Sequence, residues 1–375
     1  MNSKILMQLI SICFTLSALA SQGRYEWSVV PYPFKSDNRI INNNDCSHIE
    51  VLNDHEAVYF DGSRSVVLIK NDGDSIQTKI VCDTALYGNE SSDTLFPFKS
   101  ISFADTLNGY IAGVNSNIYK TTDGGQSWGL CLRGVQRGGM GWSKWESTLF
   151  SIAAYDSNTV WAVGKEGYIV HTENGGKNWN EAKYDSVQFS EDNVYQLYDY
   201  DFHSIAVVND TICFIAGNHG ALSILLETTD GGSHWKEVVT RRFGTKIVSI
   251  AYSGTTLWIS TDHINYKGTF DAGSNILTWN EEWAECDSIQ KAIVIIDSTW
   301  VMSTSTSGGF YNIWSKYTTI YKSSTIYALQ INTISSSKSG VLWAASKNGT
   351  IYRSTDHGES WYSSVRNGFY PSVNL

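Results

Sequence analysis

Asp123, Asp230 and Asp356 each stand two residues after a threonine or serine and five before a tryptophan, in Thr121–Trp128, Thr228–Trp235 and Ser354–Trp361, with glycine close behind. Carboxylates recurring at one spacing invite a reading as acid–base groups. Their neighbours argue otherwise. An Asp ahead of glycine accepts N–H groups of its own tight turn, the glycine takes the positive φ such a turn needs, and the Trp buries its ring beside it. Asn174, between Thr172 and Trp179, repeats the pattern with an amide oxygen as acceptor, and Asp271-Ala272-Gly273 ahead of Trp279 is a degenerate copy. Asp123, Trp128, Asn174, Trp179, Asp230, Trp235, Asp271, Asp356 and Trp361 are therefore expected to build turns rather than to catalyse.

Residues able to hold a ligand lie elsewhere. Arg137, Trp142 and Trp145 fall in the long connection 131–148, and Tyr198 in the connection 183–201 with Tyr184, Phe189, Tyr195 and Tyr200. Arg241 and Arg242 follow in the next connection, and His219 sits in a short loop between strand-like runs. Aromatic rings with a few guanidinium groups suit a peptide or a glycan. Asp185, Glu191, Asp192, Asp199, Asp201 and Asp262 are candidates for a glycosidase pair by location only. The chain has no Gly-x-Ser-x-Gly elbow, no phosphate loop, no His-Glu-x-x-His and no Cys-x-x-Cys, so neither a metal nor a cofactor is expected.

The elements that must position these residues come from a repeat. Trp128, Trp179, Trp235 and Trp279 recur about every 50 residues, and the interval to Trp361 leaves room for one unit without a recognisable turn. Ahead of each turn lie two strand-like runs joined by a polar hairpin: 98–103 with 109–113, 150–155 with 160–164, 202–208 with 212–217, and 247–252 with 257–260. Runs 50–52 with 57–60, 292–296 with 300–303, and 326–331 with 341–345 extend the series. The expected fold is all-β, a single seven-bladed propeller of four-stranded antiparallel blades, spanning residues 48–375. Residues 21–47 are expected to pack on the ring or help close it.

The phrase Asn108-Gly109-Tyr110-Ile111-Ala112-Gly113, followed by Ile118-Tyr119-Lys120-Thr121-Thr122-Asp123-Gly124-Gly125, resembles the BNR/Asp-box propellers of photosystem II assembly and stability factors and their bacterial relatives. The resemblance covers roughly residues 48–364 and implies partner binding in an assembly or scaffold role, without catalysis. It does not name the partner, because Asp boxes also occur in glycoside hydrolases. A sialidase-like enzyme would need an arginine triad, which nine arginines after residue 20 do not visibly supply. A xyloglucan-active enzyme would need a second propeller.

The first twenty residues read as an export signal: Lys4, an apolar run to Leu19, and a small-x-small site at Ala18-Leu19-Ala20. Cys13 lies inside that run, which does not suggest a lipid anchor. Secretion, or release into the periplasm or cell envelope, is expected. Formal net charge is −10 with no run of Lys or Arg, which argues against nucleic acid or an anionic membrane as partner. No later segment has the roughly 18 apolar residues that a membrane helix needs. Five cysteines remain after residue 20, an odd number. Cys213 reads as a buried hydrophobe, and Cys46 with Cys82 is the pairing to test.

Overall fold

The computed structural model describes residues 48–60, 66–71, 76–81, 98–134, 148–182, 187–189, 197–238, 246–262, 264–285, 290–295, 300–305, 310–315, 323–324, 331–346, 351–358 and 361–364. Their strands form seven sheets. Sheet 1 holds β1 (Ile49–Asn53), β2 (Glu56–Phe60), β3 (Val66–Asn71) and β4 (Ile76–Val81). Sheet 2 holds β5 (Phe98–Phe103), β6 (Gly109–Gly113), β7 (Ile118–Thr121) and β8 (Gly129–Leu132). Sheet 3 holds β9 (Leu149–Ala154), β10 (Val160–Gly164), β11 (Ile169–Thr172) and β12 (Asn180–Glu181). Sheet 4 holds β13 (Val187–Gln188), β14 (Asp201–Val207), β15 (Cys213–His219), β16 (Leu222–Thr228) and β17 (Trp235–Glu237).

Sheet 5 holds β18 (Ile247–Ser253), β19 (Thr256–Thr261), β20 (Ile264–Asp271) and β21 (Ile276–Glu285). Sheet 6 holds β22 (Gln290–Ile295), β23 (Trp300–Ser305), β24 (Phe310–Ser315) and β25 (Ser323–Ser324). Sheet 7 holds β26 (Ile331–Ser336), β27 (Leu342–Ser346), β28 (Ile351–Ser354) and β29 (Tyr362–Ser364). The first long strand of each sheet packs against its counterpart in the next, and β26 packs against β1, which closes a ring.

Hydrophobic cores lie between neighbouring sheets. Second strands such as Val160-Trp161-Ala162-Val163-Gly164 are buried along their whole length, because a sheet lies on either side. Trp161, Phe202, Ile215 and Trp235 fill the space between sheets 3 and 4. Ile49, Tyr59, Trp343 and Ala345 fill that between sheets 1 and 7. Cys213 is fully buried in the core of sheets 3 and 4.

One expectation needs correction. Uniform blades of four antiparallel strands do not describe this ring, because sheet 4 has five strands and its extra strand, β13, runs parallel to β17. The connection that enters this sheet is long enough to run along the outer edge first, where Val187 and Gln188 pair with Trp235 and Lys236 and cover an open edge. The first strand of sheet 7 is described as Ile331–Ser336, and residues 326–330 of the expected run lie outside the described residues. Its serines lower its apolar character, yet Ser335 is the residue that reaches β1.

The inner strands share a local device. A one-residue register shift interrupts the β5–β6 ladder between Phe98 and Ser100, and the same irregularity recurs before Ser204, Ser249, Ala292 and Thr333. Such a bulge turns the following side chain. Ser100 Oγ then accepts the Ile152 N–H (3.2 Å), Ser102 Oγ the Ala154 N–H (3.1 Å), and Ser204 Oγ the Ile250 N–H (2.9 Å). Inner-strand amides with no ladder partner are thus satisfied by the neighbouring sheet.

Candidate functional site

The strand 3–4 turns and the strand 1–2 hairpins share one end of the ring. In the turn of sheet 2, Thr121 Oγ1 donates to Asp123 Oδ1 (2.7 Å) and accepts the Gly125 N–H (2.9 Å), while the Ser127 N–H donates to Asp123 Oδ1 (2.9 Å). Gly124 and Gly125 adopt φ of 71° and 83°. Burial would raise the Asp123 carboxyl, but donors from Ser127 and Thr121 outweigh it and hold the group below its ordinary range. Thr172 with Asn174 repeats the turn, as do Thr228 with Asp230 and Ser354 with Asp356. Trp128 and Trp361 each donate Nε1–H to the glycine carbonyl three residues back, both at 3.1 Å. Asp271 builds a different turn, accepting from Gly273 N–H and Ser274 Oγ within the β20–β21 hairpin. These carboxylates accept hydrogen bonds from their own turns.

The turns also do something that the motif does not announce. In sheet 2, Tyr110 and Lys120 are cross-strand partners, with the ammonium 5.2 Å from the ring centre. Lys120 Nζ donates to the Gly175 carbonyl inside the next sheet's turn (2.9 Å), and Tyr110 OH donates to the Ser157 carbonyl (2.9 Å). In sheet 3 the same slot holds Trp161 stacked on His171 at 4.5 Å, and Gly232 of the following turn lies against that pair. Trp258 with Lys267 and Trp343 with Arg353 occupy it in sheets 5 and 7. The turns of sheets 3 and 4 are thus docking points for the preceding sheet's cross-strand pair. In sheets 2, 3, 5 and 7 the signal was present in sequence, as an aromatic on the second strand and a Lys, His or Arg directly across on the third.

The opposite end carries the strand 2–3 loops and the connections between sheets. Here His219 of sheet 4 meets the short turn Leu197–Asp199 that carries Tyr198. His219 Nδ1 donates to the Asp199 carbonyl (2.8 Å), which fixes the tautomer because a carbonyl only accepts. Gly167 N–H donates to the Tyr200 carbonyl (2.8 Å), and Glu166 N–H to Asp201 Oδ1 (3.0 Å), so the loop of sheet 3 holds the segment entering sheet 4. Asp201, a candidate acid by location, thus holds a loop instead. Phe189 stacks on Tyr200 at 6.4 Å, and Tyr200 meets His219 edge-on at 6.2 Å; Tyr200 is buried. These rings pin the connection.

Tyr198 remains 57% exposed, and Leu222, the cross-strand partner of His219, is 43% exposed. Leu222 was missed in sequence because it opens an apolar strand whose other residues turn inward. Trp142, Trp145, Arg137, Arg241 and Arg242 lie outside the described residues, as do Asp185, Glu191, Asp192, Cys46 and Cys82. Among the described residues no group of three His, Cys, Asp or Glu side chains is placed to hold a metal ion, and no helix is long and apolar enough to cross a membrane.

A closed ring of small antiparallel sheets whose strand 3–4 turns are Asp boxes defines this molecule as an Asp-box β-propeller. The chain belongs to the family described as photosynthesis system II assembly factor YCF48, whose model matches residues 90–188 and 143–370. It is 24% identical over 272 residues, 70% of this chain and 73% of the relative, to the photosystem II assembly lipoprotein Ycf48 of Synechococcus sp. (strain CC9902). Among solved structures it is similar to YCF48 bound to D1 peptide, with a TM-score of 0.59 and 14% identity over 87% of this chain and 99% of that one. Streptogramin B lyase matches at a TM-score of 0.60 and 12% identity, over 84% of this chain and 95% of that one. At such identities the likeness is one of fold, and the fold carries both binders and enzymes.

Proposed function

We propose that this chain is an exported assembly propeller of the cell envelope that binds an extended segment of a partner protein at its loop-bearing end. The observation that carries this reading is the exposed Tyr198 ring on a rigid support, beside His219 and Leu222. Its neighbours Tyr200 and Phe189 are stacked into the sheet, and both flanking loops are tied by backbone hydrogen bonds, so little ordering entropy is lost when a partner docks. A relative with this fold was solved with a peptide bound, and another is an assembly lipoprotein by name; both support a protein ligand in the envelope. Trp142, Trp145, Arg137, Arg241 and Arg242 belong to connections that, by chain topology, start at the same end, and we include them in the candidate surface.

The test is retention of envelope-fraction proteins on immobilised chain, comparing wild type with Tyr198→Ala and with Leu222→Ser. Circular dichroism and urea unfolding would first show that both variants fold as wild type does. A partner held by wild type and weakened about tenfold or more in each variant is the expected result. Equal retention by all three moves the surface elsewhere on the ring. Cleavage of labelled glycans by wild type would replace the binding reading with a hydrolase.

A further inference from the structure

The bonds between inner strands form two layers, and both change character at one sheet. In the first layer Ser100 meets Ile152 and Ser204 meets Ile250; in sheet 1, His48 meets the Ile101 backbone in their place. In the second layer Ser102 meets Ala154 and Ser335 meets Val51; in sheet 1, Glu50 accepts from the Phe103 backbone. Two hydroxyls are thus replaced by an imidazole and a carboxyl. Ser335 Oγ also donates to Glu50 Oε2 (3.1 Å), so Glu50 touches the strands on both sides of its own. Sheets 7 and 1 meet here, where the end of the ring joins its beginning, and among the described residues no strand passes from one sheet to the other.

Among the described residues no opposite charge faces the pair. Strands β26 and β27 carry no ionisable side chain. On β2, Glu56 is held at the hairpin by Asn53 and Lys70, and Tyr59 is buried; on β5, Lys99 is exposed to solvent.

We propose that His48 and Glu50 form a clasp at the closure of the ring that is held with both side chains uncharged in mildly acidic media. Burial lowers His48 from 6.5 to about 4, with its bond to Ile101 opposing in part, and burial raises Glu50 from 4.5 to about 7 against its bonds to Ser335 and Phe103. The signs oppose. The folded chain keeps the Glu50 proton where the unfolded chain loses it, so the Glu50 contribution falls as pH rises from 4.5 to 7. The unfolded chain binds a proton at His48 that the folded chain does not, so the His48 contribution grows as pH rises from 4 to 6.5. Between 4.5 and 6.5 the two slopes cancel.

The experiment is urea unfolding of the full chain at several pH values from 4.5 to 6.5, for wild type, Glu50→Gln, His48→Ser and the double variant His48→Ser/Glu50→Ser. Relative to wild type, the folding equilibrium of Glu50→Gln should rise with pH, and that of His48→Ser should fall, each approaching tenfold per pH unit. The double variant, which restores the serine pattern, should run parallel to wild type. Single variants that also run parallel to wild type would overturn the clasp. Should a single variant fail to fold, amide exchange in wild type serves instead. Val51 and Phe103, corrected for intrinsic rates, should keep constant protection relative to Ile152 and Ile250 from pH 4.5 to 6.5. Relative protection that climbs or falls tenfold per unit would mean that one group titrates alone, and the proposal would fail.

Discussion

The interface between sheets 2 and 3 and the closure between sheets 7 and 1 solve one problem with different residues. In the first, the Lys120 ammonium reaches the Gly175 carbonyl of an Asp-box turn, and Tyr110 OH reaches the Ser157 carbonyl of a strand 1–2 hairpin. At the closure, Arg353 takes up the hairpin contact, donating to the Asp54 carbonyl at 2.8 Å. Trp343, which has no phenolic oxygen, lies under the guanidinium with its ring 5.5 Å away. The Asp54 carboxylate is then held by Ser337 Oγ (2.7 Å) and Ser339 Oγ. At both interfaces the slot holds a ring and a cation, with lysine meeting a turn carbonyl in one and arginine a hairpin carbonyl in the other. Arginine's planar fork can stack on the ring and donate at once.

Removing the ring should have the largest effect on this comparison. Trp161 and Trp343 are both essentially buried between sheets. Trp161→Ala and Trp343→Ala should each destabilise by about 3–5 kcal/mol in urea unfolding. Equal losses would mean that the closure is as tight as an internal interface; a loss under about 1 kcal/mol at Trp343 would show that the ring does not depend on its seam.

The turn side of the interface comes next. Gly232 sits at φ +83°, and a Cβ there would lie 2.7 Å from the Trp161 ring, whereas one on Gly125, also at φ +83°, would find its nearest atom at 3.5 Å. Both alanine variants bear the backbone strain of about 1 kcal/mol, and only Gly232→Ala adds a clash of about 1–2 kcal/mol more. Thermal unfolding of the two variants side by side separates the terms. Equal losses would mean that the ring of Trp161 moves aside freely.

The sequence made the turns and strand pairs legible because both obey local rules. Thr121, Asp123 and Gly125 bond within five residues, and second strands such as 109–113 are apolar throughout. What the chain hid was the relation between repeats. The bond from Lys120 to Gly175 spans 55 positions, and that from Ser335 to Val51 spans 284, so no window along the chain contains either. Sheet 4's fifth strand was hidden for a related reason. Val187 and Gln188 are too short a run to announce a strand, and only the edge of β17 makes them one. At the loop-bearing end, Tyr198 and Tyr200 looked alike. Their roles separate only when Phe189 and His219 are seen to enclose the second and leave the first outside.

The smallest effect concerns the charge at the seam. Hydrogen bonds from Ser339 and then Ser337 hold the Asp54 carboxyl below its ordinary 3.8, against a smaller opposing effect of burial. A carboxylate with a depressed value in the folded chain stabilises above 3.8, and that contribution disappears as pH falls through the depressed value. Asp54→Asn keeps an acceptor oxygen but loses the charge, so it should cost under about 1 kcal/mol near neutrality for a group this exposed. The difference from wild type in urea midpoint should shrink as the medium is taken from pH 6 toward pH 3, approximately to nothing once both chains are uncharged at this position. His48 and Glu50 titrate identically in the two chains and drop out of the difference. A gap that stays constant on acidification would assign the seam's hold to the Arg353 bond and the Trp343 ring, with the serine-bound carboxylate a bystander.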